Sequence, residues 1–114
     1  MFYNKLIMVG NLTRDIDLKS FPTGDAFAVS SIASTYKYTS STGERKDEVC
    51  FIDFKIYGKD AENAKKFIKK GSKVLLEGRL VFEEWKDRTS GQTRNRHIFR
   101  VDVIKYLDSK NSSN

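Results

Sequence analysis

Three aromatic residues of this chain fall among charged neighbours, on strand faces that ought to meet water. Side chains alternate across a β-strand, so odd and even positions sort to opposite faces. In Glu48–Tyr57 the positions Cys50, Ile52, Phe54 and Ile56 form one apolar face, and Val49, Phe51, Asp53, Lys55 and Tyr57 form the other. In Lys73–Trp85, Val74, Leu76, Gly78, Leu80 and Phe82 take the core parity, opposite Glu77, Arg79, Val81, Glu83 and the sole tryptophan, Trp85. In Arg96–Leu107, Phe99, Val101 and Val103 are expected inside, with Arg96, Ile98 and Arg100 outside. Tyr36 and Tyr38 share a parity at the end of Ala26–Tyr38, which a bulge would reverse. A wet ring flanked by Lys and Arg can stack on a nucleobase, worth about 1–3 kcal/mol, while the cations hold phosphates. An aromatic in a strand is ordinarily core, and Trp85 could instead pack under a loop or at a subunit interface. For Phe51 and Tyr57 the alternate positions already supply a complete apolar face.

The cations sit beside these rings. Lys86, Arg88, Arg94, Arg96 and Arg100 line one loop and the strand after it, Lys37, Arg45 and Lys46 flank another loop, and Lys55 and Arg79 share the ring face. Candidate phosphate contacts are therefore Lys37, Lys55, Arg79, Lys86, Arg88, Arg94 and Arg96. Lys65, Lys66, Lys69 and Lys70 read as a solvated helix face whose charge suits a helix C-terminus. Lys and Arg exceed Asp and Glu by 21 to 15, a net charge of +6, which favours a polyanionic partner through counterion release.

Other chemistries find little support. Asp15 and Asp17 share a face, and Asp47, Glu48 and Asp53 lie close in sequence, but a metal-dependent nuclease needs carboxylates that converge, usually with a general base. His97, on the core parity, is read as packed. One His and one Cys do not make a usual zinc ligand set. No cofactor, metal or catalytic residue is expected, and the chain reads as a binding protein.

The elements that must position the rings are mostly strands. Lys5–Gly10 opens a first strand that continues toward Leu18, with a bulge or bend at Gly10. Pro22–Asp25 is a turn, followed by strands Ala26–Tyr38 and Glu48–Tyr57 around the polar loop Ser40–Glu44. Lys59–Lys70 carries Ala61, Ala64, Phe67 and Ile68 at helical spacing, with Asp60 as N-cap and Gly71 as the left-handed terminator. Two more strands, Lys73–Trp85 and Arg96–Leu107, enclose the loop Asp87–Thr93. The fold class expected is all-β with one short helix: a five-stranded OB-fold barrel with the helix between strands 3 and 4, an order that other small β-barrels share. At 114 residues one domain is expected over 1–107, with a disordered stub over 108–114. No run is long enough to span a membrane and the start lacks a signal-peptide pattern. The lone Cys50 suits a reducing cytoplasm.

Several segments resemble one family. Lys5-Leu6-Ile7-Met8-Val9-Gly10-Asn11-Leu12-Thr13-Arg14-Asp15 is similar to the opening of bacterial single-stranded DNA-binding proteins of the replication type. So are Tyr57-Gly58-Lys59-Asp60-Ala61-Glu62, Lys70-Gly71-Ser72-Lys73-Val74-Leu75-Leu76-Glu77-Gly78-Arg79-Leu80, and Trp85-Lys86-Asp87 followed by Ser90-Gly91-Gln92. The resemblance runs from Met1 to Leu107. It implies an OB-fold that assembles as a homotetramer and coats single-stranded DNA without sequence preference in replication, recombination and repair, in the nucleoid-associated cytoplasm. It also implies base stacking on Tyr38, Phe51, Tyr57 and Trp85, with Tyr38 and Phe51 standing where many members have tryptophan and Tyr36 able to share the role of Tyr38. Members usually carry a Gly/Gln/Pro-rich tail with an acidic, hydrophobic tip that recruits replication and repair proteins. This chain stops at Lys110-Asn111-Ser112-Ser113-Asn114, so a truncated core is expected, and recruitment only if a full-length acidic tail exists. A related interaction module that has lost most DNA contact is a second rival, against which retention of all four aromatics argues, and cold-shock-type RNA binding is a third, whose short motifs are absent.

Overall fold

The computed structural model describes residues 1–108. Its elements are β1 (Leu6–Leu12), β2 (Asp17–Ser20), β3 (Ala26–Thr39), β4 (Arg45–Tyr57), α1 (Lys59–Phe67), β5 (Lys73–Lys86) and β6 (Thr93–Tyr106). The expected first strand is interrupted: it stops at Leu12 and resumes as the exposed edge strand β2. The break allows Ile16 to turn inward, where it is 2% exposed. Apart from that split, the five expected strands are present in the expected order, and the helix follows the Tyr57 strand. The stub expected over 108–114 lies, apart from Asp108, outside the described residues.

One sheet of order β1-β5-β6-β4-β3-β2 closes on itself because the end of β1 also pairs with β3, Asn11 opposite Ala33 and Leu12 opposite Ile32. The β4–β6 pairing is parallel and the others antiparallel, which is an OB-fold barrel. At Gly10, where β1 passes from β5 to β3, an added Cβ would stand 2.2 Å from the Ala33 carbonyl oxygen. The glycine is there for close approach of two backbones rather than for a bulge. Phe54, Phe99, Ile32, Ile56, Leu76 and Val74 fill the interior, and α1 packs Ala61 and Ala64 against it.

The helix is shorter than its pattern suggests. Gly58, not Asp60, is the N-cap, and the chain turns extended at Ile68. Ile68 therefore swings into the core, while Phe67 is left outside against Tyr106, ring centroids 6.4 Å apart. Gly71 does have a positive φ of 94°, but in the turn beyond the helix, where its N–H donates to the Leu12 carbonyl.

Both long hairpins continue past the barrel as arms. Their inner parity has no core beneath it there, so Cys50, Leu80, Phe82 and His97 are exposed, contrary to the strict alternation expected of them, with the Phe82 and His97 rings resting on each other, centroids 5.3 Å apart. Val103 is also exposed. The β5–β6 register slips between Glu77, opposite Val103, and Gly78, opposite Val101, so Asp102 is the extra residue of a bulge. Ile104 thereby takes the inward position Val103 was expected to hold. Ile98, expected outside, is 1% exposed. It lies on the ring face, opposite Val81 and flanked along its strand by Arg96 and Arg100.

Candidate nucleic-acid interface

The expected ring face forms across three strands. Phe51, Asp53, Lys55 and Tyr57 of β4 alternate on one side. The parallel pairing of Lys55 with Arg100, and the antiparallel pairings of Arg100 with Arg79 and Arg96 with Glu83, extend that side over β6 and β5. Phe51 is 67% exposed, and Trp85 is exposed near the tip of the β5–β6 arm. Two hollows lie between them. One, of about 640 Å³, is lined by Lys55, Phe82, Glu83, Glu84, Trp85 and Arg96. The other, of about 250 Å³, is lined by Ser31, Phe51, Ile52, Asp53, Arg96 and His97. Arg96 is common to both, and its guanidinium carbon stands 5.6 Å from the Trp85 ring centroid.

An ion-pair network fixes the middle of the face. Glu83 accepts from Lys55 at 2.7 Å and from Arg96 Nε at 3.1 Å, while Arg96 Nη1 also donates to Asp53 at 3.3 Å. Burial opposes ionisation of Glu83, but the hydrogen bonds from Lys55 and Arg96 outweigh it and hold the carboxyl below its ordinary range. At the arm's tip Asp87 accepts the backbone N–H groups of Thr89 and Ser90 and then Arg94 Nε at 2.8 Å, and these bonds in that order lower its pKa. This holds the loop that carries Lys86 and Arg88.

The phosphate candidates therefore divide. Lys55, Arg94 and Arg96 are held by carboxylates, and Lys37 lies 3.5 Å from Asp47. Arg79, Lys86 and Arg88 have no carboxylate within 4 Å among the described residues, and the same is true of Arg45 and Arg100.

Tyr38 is not brought to this face. The β3–β4 register is unbroken from Phe27 opposite Tyr57 to Thr39 opposite Arg45, so Ala33 accompanies Phe51 and the even positions face the other way. Tyr36 and Tyr38 stack on each other there, centroids 6.0 Å apart. A strand touching both Phe51 and Tyr38 must cross the edge of this arm. Tyr57, for its part, is half-buried in a three-ring stack with Phe21 and Phe27, two residues that strand parity did not single out. The signal available was the turn: pairing across Pro22–Asp25 and on to β4 aligns Phe27 with Tyr57.

The acids do not converge. No group of three or more His, Cys, Asp or Glu is placed to hold a metal ion among the described residues, and no helix there is long and apolar enough to cross a membrane.

Fold and face together define a small OB barrel that presents rings and cations on two projecting arms. Comparison with known proteins names the class further. Residues 3–107 match the single-strand binding protein family, to which the chain belongs. It is 48% identical over 111 residues to a single-stranded DNA-binding protein of Wolinella succinogenes, covering 97% of this chain and 68% of that protein. It is 46% identical to one of Helicobacter hepaticus, with coverages of 96% and 64%. The fold superposes on the chain of a Plasmodium falciparum SSB complex with ssDNA with a TM-score of 0.83 at 21% identity, covering 95% of this chain and 97% of that one.

Proposed function

We propose that this chain is a non-catalytic protein that binds and protects single-stranded DNA without sequence preference in replication, recombination and repair. The observation that carries the reading is the pairing of exposed rings, Phe51 and Trp85, with arginines and lysines on one curved face. Every base has a π-face, so rings grip any sequence, while phosphates meet the cations. Tyr57 contributes from within its stack and Tyr38, with Tyr36, from the far side of the β3–β4 arm. Lys37, Lys55, Arg79, Lys86, Arg88, Arg94 and Arg96 supply the positive field. Adding oligo-dT at low salt is expected to quench the fluorescence of Trp85, and duplex DNA at the same concentration to leave it nearly unchanged. An unchanged signal with oligo-dT would remove Trp85 from the binding site.

The barrel is taken as one domain over 1–107 that works as a homotetramer at the nucleoid in the cytoplasm. Ile7 and Val9 are exposed on β1, whose outer edge is unpaired before Asn11, an arrangement that a second copy would cover. Light scattering should give a mass four times that of the 13.1 kDa chain; a monomer would sink the assembly. Recruitment of replication and repair proteins belongs to a form of the protein that carries an acidic tail.

A further inference from the structure

We infer that Phe21 is a fifth base-stacking residue, which extends the single-strand track past Tyr57 to the β2–β3 turn; this rests on the single-stranded DNA reading above. Phe21, Phe27 and Tyr57 form a stacked ledge on the outside of the barrel. Phe21 and Phe27 have centroids 4.6 Å apart, Phe27 and Tyr57 6.1 Å, and Phe21 lies within 1° of parallel to Tyr57 at 6.3 Å. None of the three belongs to the buried core: Phe27 and Tyr57 hold the parity opposite Ala28 and Ile56, and Phe21 lies in the turn after β2 and stacks on them from outside.

The ledge has the same chemistry as the face that continues from it. Lys55 Nζ stands 5.8 Å from the Phe27 centroid, and the Arg100 guanidinium stands 4.4 Å from that of Tyr57. Arg100 already occupies a face of Tyr57, which leaves that half-buried ring less to offer a base. Phe21, at 40% exposure, is the most open ring of the ledge. It is also held in place. Its N–H donates to the Asp25 carbonyl at 2.8 Å, and its own carbonyl accepts from Gly24 at 2.9 Å. A ring fixed on a tight turn loses little freedom when a base settles on it. Because Phe21 and Tyr57 are parallel, bases on the two can lie parallel as well, as in a strand stacked along a platform.

The bland role for Phe21 is to pin the turn to β4, and two substitutions separate the roles. Binding of labelled dT oligomers of graded length is measured by anisotropy with the full chain. Phe21→Leu keeps an apolar side chain against Phe27 but offers no flat face, and Phe21→Trp keeps the face. Phe21→Leu is expected to weaken binding of the longer oligomers about 5- to 150-fold without moving Tm, and Phe21→Trp to bind like the unaltered chain. Phe51→Ala serves as the control for the underlying reading. If Phe51→Ala weakens binding and Phe21→Leu does not at any length, the fifth position is overturned and Phe21 only pins the turn. If the unaltered chain binds no oligomer, the single-stranded DNA reading itself fails, and the inference with it.

Discussion

Raising NaCl from about 50 to about 200 mM is expected to weaken the binding of oligo-dT by about 100-fold per chain. The size of the effect depends on which cations are free. Lys55 and Arg96 are held by Glu83, and Arg94 by Asp87. The pKa values of Glu83 and Asp87 are both lowered, so these carboxylates stay charged and keep their partners at neutral pH. Arg45, Arg79, Lys86, Arg88 and Arg100 carry no such partner among the described residues. If these neutralise about five phosphates, the log–log slope is about −0.7 for each, or about −3.5 in all, and a fourfold rise in salt costs about two decades. Titrations at four or more salt concentrations measure the slope. A value near −1 would mean that only one or two phosphates are neutralised and stacking carries most of the affinity. A value steeper than about −6 would mean that Lys55, Arg94 and Arg96 leave their carboxylates for phosphates when DNA arrives. The network would then act as a reservoir of cations rather than as scaffolding.

The order of strands, the turn at Pro22–Asp25 and the exposed placement of Phe51 and Trp85 were all legible in the sequence, because alternation and turn chemistry act locally. The errors have one main source. Parity assigns a face but does not say what covers it, and the two arms leave the barrel part-way along. Leu80 and Phe82 therefore have the right parity for a core that is no longer beneath them, and Cys50 likewise. Ile98 is the converse: it keeps the outward parity but is buried on the ring face, where Arg96 engages Asp53 and Glu83. Val103 fails for a second reason, the bulge at Asp102, which no pattern of residue types along β6 announces. Phe21 and Phe27 escaped because their partner Tyr57 is about thirty residues away in sequence and adjacent only through the β3–β4 register. Resemblance supplied Tyr38 as a stacking residue. The unbroken register puts it on the face opposite Phe51, so the two rings of that arm lie back to back.

The bulge also marks a place where the fold has no room for a side chain. Gly78→Ala is expected to destabilise the chain by about 3 kcal/mol, the upper part of the range for overpacking, and so to lower Tm by roughly 12 to 24 °C. An added Cβ there would stand 1.9 Å from the Arg100 carbonyl oxygen and 2.9 Å from its carbonyl carbon. Both are backbone atoms of the paired strand, so no rotamer change can relieve the clash and β5 must separate from β6. Gly24→Ala is the instructive contrast. Gly24 has a φ of 95° and nothing within 4 Å of a new Cβ, so its cost is only the left-handed backbone, about 1–2 kcal/mol. Thermal unfolding followed by circular dichroism ranks the two. Gly78→Ala melting within a few degrees of the unaltered chain would show that the strands can part at little cost. The consequence for binding follows from position: Gly78 is the last β5 residue paired with β1, and beyond it Arg79, Glu83 and Trp85 are aligned with Arg100, Arg96 and Arg94 in one unbroken register. Parting the strands there should misplace the whole Trp85 arm, so the variant should lose quenching by oligo-dT even at temperatures where it remains folded.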